Sequence, residues 1–585
     1  MVNIKDSNFL VPDDPYNFAV NVVDKHAEVA GKSRAMLWSD VTDTEVRDLS
    51  YEYFSQKSHQ SAILLRELGI RKGDKLMLLL SRVSSWWEIA TGALRAGVIV
   101  SPCSSLATSK DIEFRARVSE ASIFVGDAMT VAAFLKISKG SHNVRRVIQA
   151  DGDPIPGVQQ YQDLMAQIPG HRKFHGPITK SSDPAFVFFT SGTTGPPKMV
   201  VHNHAYSISH VTTGKDWLLL EPGKLYWNLA EQGVFSSPST LTTGLMGQRL
   251  GWAKATWAWF AAWNTGAALY VRKLQGGFSA QDLARTLHRY PITTLCAGPT
   301  IYRQLVSPRL LEKIAAEPFS RLHHCVAAGE ALERAVIDSW KAATGIEIKD
   351  GYGQTETPVL CGNFVGNAVK PGSMGLPASG IPLSIVNDVG EECPINEEGN
   401  IAVALYSSNG DRLIGITDGY LQPDGSKKLN LLTCKTNPDE PAHGGKWYLT
   451  GDRGYRDEDG YFWFIGRADD VINSSGYRIG PSEVEAVLQE HPAVQDVAVV
   501  GSPSAERGEV VKAFVVLTPE GLRESPGALI KKLQDYCKKE AAPYKYPRKI
   551  QFVGHDFFPR TSSGKIQRAA LRKLEKNPAT LSPRL

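Results

Sequence analysis

FFTSGTTGPPK, Phe188 to Lys198, is an apolar run that breaks into hydroxyls, glycines, two prolines and a lysine. Thr190, Ser191, Thr193 and Thr194 offer hydroxyls, Gly192 and Gly195 let backbone amides approach a ligand, and Lys198 adds a positive charge. Those are the ingredients of a polyphosphate cradle. The spacing is not GxxxxGK[ST], because two prolines intervene and Met199 follows the lysine, so a P-loop NTPase fold is not indicated. Taken alone, such a loop reads first as a hydrophilic turn after a buried strand, with the phosphate cradle as the alternative.

The surrounding chain is ordinary globular protein: 585 residues, 42% hydrophobic and 22% charged, with material for two or more domains. Its 65 Lys and Arg nearly balance its 61 Asp and Glu, which gives no sign of a nucleic-acid or membrane-surface partner. The seven cysteines form no CxxC pair and no metal-spaced cluster, which suits a reducing compartment without structural zinc. The first thirty residues carry acids and show neither a secretory signal nor a transit peptide. No stretch reaches the roughly 18 uninterrupted apolar residues of a membrane span. The expectation is a cytoplasmic protein, with a weak peroxisomal alternative from the terminal Pro583-Arg584-Leu585.

From about residue 50 to 310, helical-period segments alternate with short apolar runs, as in SQKSHQSAILLREL then DKLMLLL, and WWEIATGALRAG then VIVSP. That alternation predicts an α/β fold with largely parallel strands. After residue 445, KWYLTGDRGYRDEDGYFWFIGRADD reads as aromatic strands separated by turns. Beyond Asp469, GPSEVEAVLQEHP predicts a helix with Pro481 at its start and Val484, Val487 and Leu488 on one face. VQDVAVVG then predicts a strand. The reading is a large N-terminal domain, 1–468, and a small α+β C-terminal domain, 469–585, with no internal repeats.

The loop has company. TSGTTGPPK is followed in order by AAGEAL (Ala327 to Leu332), DGYGQTET (Asp350 to Thr357), LTGDRG (Leu449 to Gly454), GRADDVINSSGYRIGPSEVE (Gly466 to Glu485) and PRTSSGKIQR (Pro559 to Arg568). Each resembles a signature of the adenylate-forming superfamily, which holds the acyl-CoA synthetases, nonribosomal-peptide adenylation domains and luciferases. WWEIATGALRAG, YWNLAEQ, GWAKATWAWF, YPITTLCAGPTIYRQL and INSSGYRIGPSEVE are most similar to the medium-chain acyl-CoA synthetases.

That resemblance implies a ligase using Mg·ATP and coenzyme A. A carboxylate, medium-chain fatty or aromatic, attacks the α-phosphate to give an acyl-adenylate, and coenzyme A then displaces AMP. Thr190 to Gly195 with Lys198 would cradle the phosphates. Thr355 would donate to the α-phosphate and Glu356 would help hold Mg²⁺, a cation that prefers oxygen ligands. Gly329, Glu330 and Ala331, with the strand Asp350-Gly351-Tyr352-Gly353-Gln354, would line the adenine, Tyr352 stacking on it. Asp452 would accept from the ribose hydroxyls and Arg467 would bind the ribose or phosphate side. Lys565 would be the cation delivered during adenylation, and rotation at a hinge at or beside Asp469 would replace it with Gly476, Tyr477 and Arg478 to admit the pantetheine arm.

The chain departs from the pattern at one place. YWNLAEQ should run straight into GWAKATW, but Gly233 to Leu250 intervenes, with a glycine at its start and another just after it. It reads either as a retained intron or gene-model error, or as a genuine surface loop. Because Trp252 follows directly and resembles the wall of the acyl pocket, the insert bears on that pocket and not on the phosphate site. Two other readings stand beside the ligase: a catalytically impaired nucleotide-binding paralogue, and an adenylate-forming ligase with a different acyl acceptor.

Overall fold

The computed structural model describes residues 9–10, 14–103, 107–190, 197–229, 253–273, 279–329, 332–407, 410–434, 445–474, 477–504, 507–540, 545–560 and 566–576. Two nine-stranded sheets carry most of the N-terminal region. In the first, strands Lys75–Leu79, Ile99–Pro102, Ile123–Asp127, Arg146–Asp151 and Pro184–Thr190 run parallel. Lys198–Asn203 and Gly419–Leu421 extend it antiparallel. In the second, Arg34–Ser39, Ala268–Arg272, Leu225–Asn228, Thr294–Ala297, His324–Ala328 and Ile348–Gly353 are parallel neighbours in that order.

Parallel strands buried on both faces need helices on both sides, and one of these helices is buried all round. All thirteen residues of the helix Ser84–Ala96 are buried. With helix Tyr51–Glu67, whose Ser50 cap accepts from the Tyr53 amide, it lies in one core with Leu76, Leu78, Phe186 and Phe188 of the first sheet and Met36, Trp38, Tyr226 and Leu269 of the second. The helices are therefore the middle layer between two sheets. Period-two alternation sorts the strand residues: in Leu225–Asn228, Tyr226 joins this core while Leu225 and Trp227 face a second one. The tryptophans divide in the same way, Trp217, Trp257 and Trp259 packing in the first core and Trp227 in the second.

Two smaller units follow. Strands Leu383–Val386, Gly399–Ala404 and Lys446–Arg456 form an antiparallel sheet, with Phe462–Arg467 returning as a hairpin partner in the register Asp452↔Arg467. The C-terminal residues build a five-stranded sheet packed by helices Pro481–Gln489, Pro526–Glu540 and Arg568–Lys576. Val484 and Leu488 of the first of these are fully buried. No helix among the described residues is long and apolar enough to cross a membrane.

One contact fixes the second sheet near its edge. Trp217 ends a π-helical turn, Thr213–Trp217, and is fully buried; its ring lies flush against Gly351, where an added Cβ would sit 2.5 Å from Cζ2, and Gly362, where it would sit 3.1 Å from Cδ1. His324 holds the Trp217 carbonyl through Nε2 at 2.7 Å. The indole is the floor of the strand that continues into Gln354, Thr355 and Glu356. Gly351→Ala is expected to lower the melting temperature by roughly 5 °C, and adding Trp217→Phe, which makes room, to recover part of it. Additive losses in the double variant, followed by calorimetry, would show that the two positions are not in contact.

Candidate active site

The opening stretch folds as a hairpin. Pro184–Thr190 and Lys198–Asn203 pair antiparallel with Thr190 directly opposite Lys198, so residues 191–197 are the connection between two strands of one sheet. Along the second strand, alternation places Lys198, Val200 and His202 on one face. Tyr420, from the neighbouring strand, pairs with Val200. That register brings five residues together. The Lys198 ammonium lies 5.0 Å above the Tyr420 ring, and the Tyr420 hydroxyl donates to Glu356 Oε1 at 3.0 Å. His202 Nε2 meets the Thr355 carbonyl at 2.7 Å.

DGYGQTET supplies the opposite wall. Ile348–Gly353 and Val359–Gly362 are antiparallel, and Gln354 to Pro358 form the turn between them. The turn is tied internally by the Gln354 amide donating to Thr357 Oγ1 at 3.0 Å. It is tied to the first sheet by His202 and by the Thr417 amide donating to the Glu356 carbonyl at 2.8 Å. Thr355 and Glu356 are half-buried.

Asp452 closes the arrangement. Only 3% exposed, it accepts from the Tyr352 hydroxyl, from Gln354 Nε2 at 2.7 Å and from Arg467 at 2.9 Å. Those three donors use most of a carboxylate's roughly four lone-pair positions. Asp452 and Arg467, which the resemblance sends separately to the nucleotide, are therefore partners of each other here. Gly451, before the aspartate, has φ +76°, and a Cβ there would lie 3.2 Å from the Arg467 guanidinium; glycine permits both the left-handed backbone and the approach.

The electrostatics follow the burial. Enclosure raises Glu356 above the usual glutamate range, opposed by the Tyr420 hydrogen bond. Burial works against the charge of Arg467, but Asp452 outweighs it and the guanidinium is held more firmly protonated. Burial lowers His202 to about 4, against the pull of the Thr355 carbonyl, so the imidazole that braces the turn is neutral.

Among the sequence-assigned residues, the structure brings Lys198, Thr355, Glu356, Tyr352, Gln354, Asp452 and Arg467 into one connected set. Thr190 lies opposite Lys198 in the hairpin. Gly329, at φ +110°, ends strand His324–Ala328. Asp350 Oδ2 accepts from the Leu332 amide at 3.4 Å across the same edge. Ser191, Gly192, Thr193, Thr194, Gly195, Glu330, Ala331, Trp252, Gly476 and Lys565 lie outside the described residues, as does Gly233 to Leu250. Tyr477 and Arg478 belong to a strand, Tyr477–Ile479, paired with Ile472–Ser474. Asp469 is 43% exposed and 3.9 Å from Arg467.

His202 and Tyr420 were not among the expected residues. Strand alternation from Lys198 places His202 on the same face; Tyr420 carries no local signal and enters through pairing between strands more than two hundred residues apart. No group of three or more His, Cys, Asp and Glu side chains suited to a metal ion occurs among the described residues. Glu356 alone fits Mg²⁺, which is commonly bound through one or two carboxylates plus substrate phosphates.

His204 and His324, like His202, are buried and lowered to about 4. The unfolded chain protonates near 6.5, so it binds more protons between those values and stability falls as pH drops from about 6.5 toward 4. Each imidazole then costs on the order of 2 kcal/mol at pH 5. Melting curves are expected to shift down steeply below pH 6.5. His202→Gln, which keeps a donor for the Thr355 carbonyl, should shift less; parallel curves would sink the assignment.

Comparison with known proteins agrees with this architecture. The sequence pattern of the AMP-binding enzymes matches residues 23–410, and that of the AMP-binding enzyme C-terminal domain matches residues 483–565. The chain is 38% identical to mouse acyl-coenzyme A synthetase ACSM5, mitochondrial, over 571 residues, covering 96% of this chain and 91% of the relative. It is 38% identical to human acyl-coenzyme A synthetase ACSM3, mitochondrial, over 569 residues, covering 96% and 90%. Among solved structures, the anthranilate CoA ligase AuaEII in complex with anthranoyl-AMP superposes with a TM-score of 0.78 at 28% identity, covering 97% of this chain and 98% of that one. The Brucella canis acyl-CoA synthetase superposes with a TM-score of 0.68 at 30% identity, covering 97% and 96%. This chain belongs to the AMP-binding enzymes, among the acyl-CoA synthetases most like the medium-chain group.

Proposed function

We propose that the chain is an AMP-forming acid–thiol ligase acting on a medium-chain fatty or aromatic carboxylate, with residues 1–468 as the adenylating domain and 469–585 as a mobile C-terminal domain. In the first half-reaction a carboxylate oxygen bonds to the α-phosphorus of ATP and the bond to pyrophosphate breaks. In the second, the coenzyme A sulfur bonds to the acyl carbon, AMP leaves, and the thiol proton passes to solvent. The observation that carries this reading is the connected set from Lys198 through Tyr420 and Glu356 to Asp452 and Arg467, in which cations and hard oxygen donors converge on one turn.

Adenylation gathers negative charge and adds more as the phosphorus becomes five-coordinate, so fixed cations and donors are the catalytic need. Lys198 and the hydroxyls and amides of residues 190–195 would bind the phosphates, and Thr355 would donate to the α-phosphate. Mg²⁺ held by Glu356 would neutralise phosphate charge. Lys565 would stand at the reacting carboxylate. Gly329 to Ala331 and Asp350 to Gln354 would enclose the adenine, and Gly476, Tyr477 and Arg478 would receive coenzyme A. Trp252 would border the acyl group. The anthranilate CoA ligase among the solved structures supports an aromatic acid as one candidate, the mammalian relatives a fatty one. The mitochondrial label belongs to those relatives.

Incubation with Mg·ATP, coenzyme A and a panel from butyrate to decanoate plus benzoate is expected to yield one or more thioesters and AMP. Lys565→Ala should lower the rate by at least about a hundredfold. Nucleotide binding with no thioester from any acid, in the chain both with and without Gly233 to Leu250, would favour the impaired paralogue. Activity restored only by deleting that stretch would identify it as the obstruction.

Glu356 must be ionised to serve a cation, and enclosure already raises its pKa. Removing the Tyr420 hydroxyl takes away a bond that lowers it. In Tyr420→Phe, the acid limb of carboxylate-dependent ATP–pyrophosphate exchange is therefore expected at higher pH than in the unaltered chain. An unmoved limb would assign the titration to another group.

A further inference from the structure

The final helix, Arg568–Lys576, starts three residues after Lys565, and charged contacts fasten it and the base of the loop before it. Arg560 and Ile566, the described residues on either side of 561–565, form an antiparallel bridge, reinforced by the Gln567 amide donating to the Pro559 carbonyl at 2.7 Å and by Gln567 Nε2 donating to the Arg560 carbonyl at 2.9 Å. Arg560 pairs with Asp496. On the helix, Arg568 forks onto Glu485 at 3.1 and 2.5 Å. Arg572, one turn on, pairs with Asp470, whose other oxygen lies 4.0 Å from Arg568. Glu575 pairs with Lys512 and accepts from Ser502 at 2.7 Å. Leu571 is fully buried in an apolar cluster with Ala498, Val500, Phe514, Val516 and Phe558.

Asp470 stands out by position. Its side chain is 6% exposed, between two guanidiniums, whereas Asp469 beside it is 43% exposed. On the other side of Asp469, Arg467 pairs with Asp452 and the Ala468 amide donates to the Gly451 carbonyl at 2.9 Å. Chain up to Ala468 is thus bound to strand Lys446–Arg456, and the Asp470 side chain to the final helix; between them the Asp470 and Val471 amides donate back to the Arg467 carbonyl at 3.0 and 3.2 Å, a turn around Asp469. Removing one member of a buried ion pair leaves a buried charge uncompensated, so such contacts hold firmly.

Resting on the role given to Lys565 above, we propose that Asp470 is a positioning residue. Through Arg572 and Arg568 it ties the final helix, and with it the base of the Lys565 loop, to the joint between the domains. The placement of that loop in the first half-reaction is then set at the joint. The second half-reaction, which does not use the loop, is indifferent to the tie.

The test uses the full chain and separates the half-reactions. ATP–pyrophosphate exchange driven by an accepted carboxylate reads the first, and thioester formation from synthetic acyl-adenylate and coenzyme A reads the second. Asp470→Asn and Arg572→Gln are each expected to lower exchange roughly tenfold to a hundredfold, while the second half-reaction changes less than about threefold. The double variant should be no worse than either single one, and Asp470→Glu should restore part of the exchange. Amide hydrogen exchange should quicken across 568–576 in Asp470→Asn while the rest of the chain keeps its protection. Equal loss in both half-reactions, or normal pyrophosphate exchange despite a loosened helix, overturns the proposal. If Lys565→Ala retains exchange, the role of that lysine fails instead; the tie is then judged by hydrogen exchange, and unchanged protection in Asp470→Asn overturns it.

Discussion

A single buried carboxylate joins the parts of the molecule that matter for its chemistry. Asp452 sits on a strand of the small antiparallel sheet, accepts from Tyr352 and Gln354 at the edge of the second large sheet, and pairs with Arg467 where the C-terminal residues begin. An ionised oxygen pair in a buried position must be matched by donors or it destabilises the fold. Three separate segments are thereby held at one point, and the turn bearing Thr355 and Glu356 is fixed relative to the joint that follows Arg467.

The first large sheet reaches the same turn from the other side. Strand Lys198–Asn203 presents Lys198, Val200 and His202 on one face; the lysine lies over Tyr420, Tyr420 holds Glu356, and His202 holds the Thr355 carbonyl. His202 does this as a neutral ring because burial removes its proton. Trp217 supports the turn from beneath through the strand at Gly351. Catalytic groups on turns need such rigid support, since a turn alone does not hold a side chain to the tolerance that phosphoryl transfer demands.

Much of this was legible in the residues. The α/β alternation, the aromatic hairpin after residue 445 and the helix beginning at Pro481 all come from periodicity and turn residues, which are local properties. The signature stretches placed Lys198, Glu356, Asp452 and Arg467 by resemblance, and family membership followed. The mutual pairing of Asp452 with Arg467 was not legible, nor was the division of the tryptophans between two cores, because both depend on which strands become neighbours. His202 stood within reach of an alternation argument from Lys198; Tyr420 did not.

What the sequence by itself determined is therefore the chemistry on offer: a hydroxyl- and glycine-rich connection with a lysine, acids in short turns, and helices and strands whose periods are written in their own residues. The tertiary structure decided which of those groups face one another. Asp452 meets Gln354 across 98 positions, Tyr420 meets Glu356 across 64, and Arg572 meets Asp470 across 102. The physical reason is range: backbone propensity acts over a few residues, whereas burial of charge selects partners by the closing of sheets and helices around them.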